Sequence, residues 1–438
     1  MNKKAQRYET EKNGSNSCKI EGLQMLIRLA AAGARGETLT VQKVDWPLLM
    51  PLAAEQGVVS LVALAVLHAP ELECPEELRE CLMNALRTEC STNLLRRQRV
   101  LHLIGELKQT GIEAKILKGY AIAEDYACPE SRSSVDTDLL IDVQQEKAAL
   151  RFLEARGFRI TPRVATSHHS VCQHRKYGEI ELHVSLYTEF VQDVWFQGMG
   201  MAELIREVPI TIQATDGDYA ALGYTDHLIF ITLHMVKHFI LGGLTLRMML
   251  DIALLFARNR ERIDAARFWS TMERLHYAKL VNCVLWAMIL YGGFQAVDFP
   301  GCTAEAPEQI ALMLGDLLQG GYMGVKETDA RYASGMEYNR LVLLKSKSAA
   351  EYRLYMLRYK VRSAAKHMFP TGKMLREMYP HAGRHAAVSP FLFFYQMFAY
   401  PIKKVRSGAL RRDIRSGSGA LEQETQARLD MFRELDML

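Results

Sequence analysis

Between residues 111 and 186 the chain abandons the helical texture that surrounds it, and this interruption limits its fold more than any other feature. Five short runs in this stretch (112–117, 135–143, 158–164, 170–177 and 179–186) are apolar or alternating and bounded by turn residues, the pattern of strands. Helical spacing returns between them over 120–127 and 144–156, the second ending at Gly157. The last run alternates strictly: Glu179, Glu181 and His183 share one face, and Ile180, Leu182 and Val184 share the other. These elements predict a small mixed sheet with crossing helices, hence an α+β unit embedded between helical segments.

The flanks set the domain expectations. Residues 1–17 are polar and charged and read as a disordered tail. A helical N-terminal region is expected over 18–110, with Leu78, Leu82 and Leu86 at helical spacing in its last long segment. The α+β unit is expected over 111–215. A helical C-terminal domain follows over 216–405, where two helices flank Gly242-Gly243. Residues 406–438 read as a tail with a short amphipathic helix. A chain of 438 residues has room for such a partition at roughly 100–200 residues per domain.

Charge and cysteine usage exclude several classes. With 54 basic against 50 acidic residues, the chain lacks the basic excess of a dedicated nucleic-acid binder. None of its eight cysteines forms a Cys-x-x-Cys pair, so a structural zinc site has no support, and the cysteines are expected as free thiols in a reducing cytoplasm. The start has no apolar leader and no run reaches a membrane span of ~18 apolar residues, so cytoplasmic residence is expected.

The chemistry concentrates on Asp136-Thr137-Asp138. Carboxylates at i and i+2 of a strand point to one face, where each raises the cost of ionising the other. A divalent cation relieves that cost, and magnesium suits one or two carboxylates plus phosphate oxygens. Glu181 is the third candidate acid, with Glu179 as its rival, and an antiparallel pairing of the two strands would bring it beside the aspartates. Three acids around magnesium can hold the attacking and leaving oxygens of an in-line phosphoryl displacement. Lys118-Gly119 lies between a strand and a helix, where glycine lets a phosphate approach the backbone and lysine adds charge. Arg132 is placed either to reach a phosphate or to pair with Glu130. His227, His234 and His238 share a helix, with packing or a polar contact favoured over zinc. Arg247 and Asp251 are expected to pair within their helix. His168-His169 sits in a loop before a strand, read as surface that could touch substrate.

Leu117-Lys118-Gly119, the run Arg132-Ser133-Ser134-Val135-Asp136-Thr137-Asp138-Leu139-Leu140-Ile141, and Ile180-Glu181-Leu182-His183 resemble the uncharacterised nucleotidyltransferase family of the DNA-polymerase-beta-like superfamily. Asp226-His227, His234, His238, Arg247 and Asp251 resemble its helical half, as do Asp45-Trp46 and Met368-Phe369-Pro370 elsewhere. Three departures stand out: Val135 replaces a glycine, Glu181 an aspartate, and Val184 an aromatic residue. The resemblance implies transfer of a nucleoside monophosphate from a nucleoside triphosphate to an acceptor. Asp136, Asp138 and Glu181 would serve as catalytic magnesium ligands, and Lys118, Gly119 and Arg132 would contact the nucleotide. The acceptor stays open among small molecule, sugar, protein and RNA. The alternatives are a binding protein that kept the fold without catalysis, and a toxin-like enzyme modifying RNA or protein.

Near the end, Phe391, Phe393, Phe394, Tyr395, Phe398 and Tyr400 precede Lys403, Lys404, Arg406, Arg411, Arg412 and Arg415. The favoured reading is a core helix with a basic tail. The other is a weak, salt-sensitive peripheral contact with an anionic membrane.

Overall fold

A computed structural model describes residues 3–40, 43–163, 167–196, 198–214, 217–320, 329–346 and 419–438, together with 351, 354 and 357. The aromatic and basic segment at 391–415 lies outside the described residues, as does 368–370.

Four helices lead into the sheet: α1 (Lys3–Arg35), α2 (Trp46–Glu55), α3 (Val59–His68) and α4 (Glu76–Gln109). The first begins inside the segment expected to be a disordered tail, a continuation of the helix whose apolar face starts at Leu23. Asp45 caps α2 by accepting the Leu48 amide, with Pro47 in the first turn.

The α+β unit follows as β1 (Lys115–Ile116), α5 (Tyr120–Ala123), β2 (Asp136–Leu140), α6 (Glu146–Ala155), β3 (Arg159–Thr161), β4 (His169–His174) and β5 (Gly178–His183). Two short helices, α7 (Glu189–Trp195) and α8 (Met201–Leu204), precede β6 (Ile210–Ile212) and β7 (Tyr219–Ala221). The strands form one mixed seven-stranded sheet in the order β3-β4-β5-β2-β1-β7-β6, which continues past residue 215 because β7 pairs in parallel with β1.

The expected antiparallel pairing of β2 with β5 is corrected: they run parallel, with Asp138 beside Glu181 and Asp136 beside Glu179. The cause is strand count. β3, β4 and β5 form an antiparallel meander that reverses twice, so β5 leaves in the direction of β3. The crossover through α6 then returns the chain parallel to β2.

The helical half contains α9 (Tyr224–Leu241), α10 (Leu246–Arg258), α11 (Ala265–Arg274), α12 (Ala278–Gly292), α13 (Pro307–Gly320), α14 (Asp329–Ser346) and α15 (Gly419–Glu434). Helix α9 is buried on nearly every side, as expected of a helix at the centre of a bundle.

Two cores hold the molecule. The larger draws from α1–α3 and from α9–α13 together, so the helical segments before and after the sheet share one interior. The smaller packs Leu139, Ile180 and Leu182 of the sheet against Val100, Leu103 and Leu107 of α4 and Leu153 of α6. Helix α4 therefore contributes to both, with Leu82 and Leu86 in one core and its second half in the other. The opposite sheet face, bearing Asp136, Asp138 and Glu181, looks toward α9 and α10, and a cavity of about 240 Å³ lies between them.

Candidate active site

The cavity floor is the register of β2 and β5. Asp138 and Glu181 are paired positions, so their side chains leave the sheet together. Asp138 is almost fully buried, at 1 % exposure. Its Oδ1 receives Lys118 Nζ at 2.9 Å and His183 Nε2 at 3.0 Å, and the same His183 nitrogen lies 3.3 Å from Glu181 Oε2. Burial alone would push the Asp138 carboxyl up; the Lys118 ammonium, followed by His183, outweighs it and holds the group below the ordinary carboxylate range. Glu181 is likewise held low, its burial overcome by the hydrogen bond from His183. Burial and then the Asp138 charge push Asp136 up. Burial works against the charged forms of Lys118 and His183 too, but their acidic neighbours raise both.

Lys118 arrives through a tight turn. Leu117 N donates to Asp138 O at 3.0 Å, ending the β1–β2 ladder. Gly119 then adopts φ +62°, with Ser134 Oγ 3.4 Å from where a Cβ would stand. A side chain there would be strained by the positive φ, although it would meet Ser134 only at ordinary contact distance. His227 Nε2 lies 2.7 Å from Leu117 O, so α9 supports the turn from behind. Burial holds His227 down to about 4, which leaves a neutral ring donating its Nε2–H to the carbonyl.

The loop before β2 is clamped from two sides. On the α4 side, Asn93 Nδ2 donates to the carbonyls of Glu130 and Arg132, and Arg96 Nη1 to that of Ser134. On the α10 side, Arg247 Nη1 donates to Ser133 O at 2.8 Å. Arg132 Nε and Nη2 donate to Asp251 Oδ1 and Oδ2, each at 2.7 Å, and Tyr126 Oη donates to the same carboxylate. Two sequence expectations are corrected here. Arg132 pairs with Asp251 rather than with Glu130, while still bordering the cavity, and Arg247 and Asp251 do not pair within their helix. Spatial proximity of α10 to the loop decides both.

The roof carries two cations among neutral side chains. Lys237, His234 and His238 of α9 and Arg247 of α10 line the cavity with Phe230 and Met248. His238 and His234 meet through their Nε2 atoms at 3.0 Å, and burial keeps His238 neutral, down to about 3. Among the described residues, two groups are close enough to hold an ion: Asp138, Glu181 and His183, and His168, His169 and His183. Neither contains His227, His234 or His238. Asp136 lines the cavity but belongs to neither group. Glu179 shares the strand face, yet its carboxylate receives Gln173 Nε2 at 2.7 Å and does not line the cavity. Val135 is 47 % exposed and stays outside the cavity, so it does not crowd it.

The sequence reading gave no site role to His183, although it sits at the centre of the acidic group. It also missed Lys237, whose signal was present: a lysine one residue before His238 on an otherwise apolar helix.

A family model described as "Uncharacterised nucleotidyltransferase" matches residues 42–291, more than half of the chain. The chain belongs to this family. It is accordingly a transferase of the nucleotidyl type, and the matched span contains the whole sheet, the clamped loop and helices α9 and α10. No curated protein matches it. A solved structure titled "tRNA-processing enzyme (apo form I)" is similar at 11% identity and a TM-score of 0.22, over 83% of this chain and 99% of that one. Among the described residues no helix is long and apolar enough to cross a membrane.

Proposed function

We propose that this cavity transfers a nucleoside monophosphate from a nucleoside triphosphate to an acceptor hydroxyl, with magnesium held by Asp136, Asp138 and Glu181. The carrying observation is the meeting of Asp138, Glu181, His183 and Lys118 on the floor, opposite Lys237 and Arg247 on the roof. The oxygen donors suit the ion: Asp138 and Glu181 lie within one compact group, and Lys118 and His183 already meet Asp138 where a cation would. Magnesium, when bound, supplies charge to the attacking and leaving oxygens.

The residues of the chain divide the remaining work. Asp136 and Asp138 come from one rigid strand, and the clamps on residues 130–134 fix where that strand begins. Lys118, Lys237 and Arg247 meet the triphosphate charge, with Gly119 leaving room at the backbone. Arg132 contributes by seating the loop on Asp251 and by bordering the nucleotide. The acceptor oxygen attacks the α-phosphorus in line and gives up its proton to solvent or to the Asp136 carboxylate, the bond from that phosphorus to the α–β bridging oxygen breaks, and pyrophosphate leaves toward the cations. The acceptor is one of a small molecule, a sugar, a protein or an RNA. The reading places the protein in the cytoplasm, with the sheet unit (111–215 and its continuation through β7) as the catalytic domain.

The test is incorporation of α-labelled nucleoside triphosphate into extract components by the purified chain with magnesium. Label transferred by the wild type and lost in Asp138→Asn supports the reading. No magnesium-dependent transfer with any of the four nucleotides and a broad acceptor extract refutes it.

A further inference from the structure

The same cavity carries His168 and His169, to which nucleotidyl transfer assigns no role. His169 opens β4 and is paired directly with His183 across the antiparallel ladder, and Val184 N donates to His168 O at 3.0 Å. Opposed positions on antiparallel strands hold their Cβ atoms ~4.5–5.5 Å apart, so the register itself brings the imidazoles together. Ring centroids lie 5.0 Å apart for His169 and His183, 4.8 Å for His168 and His169, and 5.1 Å for His168 and His183. One ring nitrogen of each lies within 4.8 Å of the others. All three rings have a buried Nδ1 without a hydrogen-bond partner, and the His168 side chain makes no hydrogen bond among the described residues. Glu181 reaches into the cluster, with Oε1 3.6 Å from His169 Nε2 and Oε2 3.3 Å from His183 Nε2. Buried ring nitrogens without partners are costly; three imidazoles side by side are a donor set for a metal ion.

We propose that His168, His169 and His183 bind a divalent transition-metal ion of the zinc type, with the fourth position left to a water or substrate oxygen. Imidazole nitrogen is a donor for zinc, cobalt and nickel, whereas magnesium takes oxygen. Zinc bonds of ~2.0–2.2 Å place tetrahedral ligands ~3.4 Å apart. The three ligand nitrogens lie within 4.8 Å of one another, so each ring closes on the ion by a shift of about 1 Å. The ion ties β4 to β5 beside Glu181, at the edge of the nucleotide cavity. The site lies next to the proposed magnesium centre but does not depend on nucleotidyl transfer.

The test is equilibrium dialysis of the full chain against Zn²⁺, and separately Co²⁺, in excess Mg²⁺, with bound metal counted by atomic emission. About one ion per chain should survive the magnesium, and bound Co²⁺ should give the intense visible bands of a tetrahedral site. His168→Gln and His169→Gln should each weaken binding by more than the ~100-fold that loss of a mere outer-sphere partner costs, while Glu179→Gln leaves it unchanged. Circular dichroism before metal addition checks that the variants fold; His168 precedes the strand, so its variant decides the matter if His169→Gln misfolds. Failure to retain zinc against magnesium, or retention unaltered in a folded His168→Gln chain, overturns the proposal. Failure of the nucleotidyl-transfer reading shows differently, as absent label transfer in a chain that still holds zinc.

Discussion

Neutralising Asp251 should destabilise the protein more than any surface change, because Arg132 would keep its charge with nothing to balance it. The two side chains are 6 % and 8 % exposed and share two hydrogen bonds of 2.7 Å. Removing one partner of such a pair typically costs ~3–5 kcal/mol, since the other is left as an uncompensated buried charge. Asp251→Asn should therefore lose that amount, a large share of the ~5–15 kcal/mol that holds an ordinary domain together. Arg132→Met should lose a similar amount by stranding the carboxylate. The double variant Arg132→Met/Asp251→Asn carries no charge at this pair, and its main cost is the amide left partly unpaired beside Tyr126, ~1–3 kcal/mol. The singles should thus sum to far more than the double, with a coupling of at least ~3 kcal/mol. Denaturant unfolding followed by tryptophan fluorescence measures all four proteins at comparable slope. A loss below ~1 kcal/mol in Asp251→Asn, or an additive double variant, would refute the view that this pair seats the loop before β2.

Three further outcomes follow from the site. Glu181→Gln should impair magnesium-dependent transfer severely and Glu179→Gln only mildly, since Glu179 is engaged by Gln173 outside the cavity; a side-by-side turnover assay ranks them, and the reverse order would move the site by two residues. Lys237→Ala should weaken nucleotide binding by ~1.5–3 kcal/mol, roughly 10–100-fold in Kd; calorimetry with a non-hydrolysable triphosphate reads this directly, and unchanged affinity removes Lys237 from the phosphate contacts. His227 sits at about 4 in the folded chain against an unfolded value of ~6.5, so between those values the unfolded state binds more protons and stability falls as the solution is acidified. In His227→Gln the slope of unfolding free energy against pH should shrink by up to ~1 proton's worth across pH 4–6.5; an unaltered slope would mean that the ring is not held neutral against Leu117.

The sequence was most readable where chemistry and periodicity coincide. The strict alternation around Glu181 placed its face correctly, and the two aspartates of β2 do open onto a cavity. Strand direction was not readable, because alternation fixes which residues share a face but is the same for parallel and antiparallel neighbours. Only the meander of β3, β4 and β5 determines the direction of β5. The partners of Arg132 and Asp251 were hidden for a related reason: they are separated by 119 residues, and the local alternatives at i−2 and i−4 were the only ones that spacing could offer. The shared core of α1–α3 with α9–α13 was equally invisible, since apolar periodicity identifies a buried face without naming what buries it.

The charges that line the cavity are segregated by origin, and this gives the junction between sheet and helices its importance. Asp136, Asp138 and Glu181 belong to the strands, Lys237 and Arg247 to the helices, and Lys118 lies between, bonded to Asp138. Arg132 and Asp251 cancel each other. A triphosphate carrying magnesium has the same polarity turned about, cations toward the acids and phosphate oxygens toward the bases. Neither wall alone recognises such a ligand, because the sheet would bind only the metal and the helices only the anion. On the proposed function, recognition depends on how the walls are spaced, and α10 grips the loop before β2 through Arg132, Asp251, Arg247 and Ser133. An ion pair that does little for net stability compared with apolar packing therefore has a reason to be there: it fixes the acidic strands and the basic helices on opposite sides of one cavity.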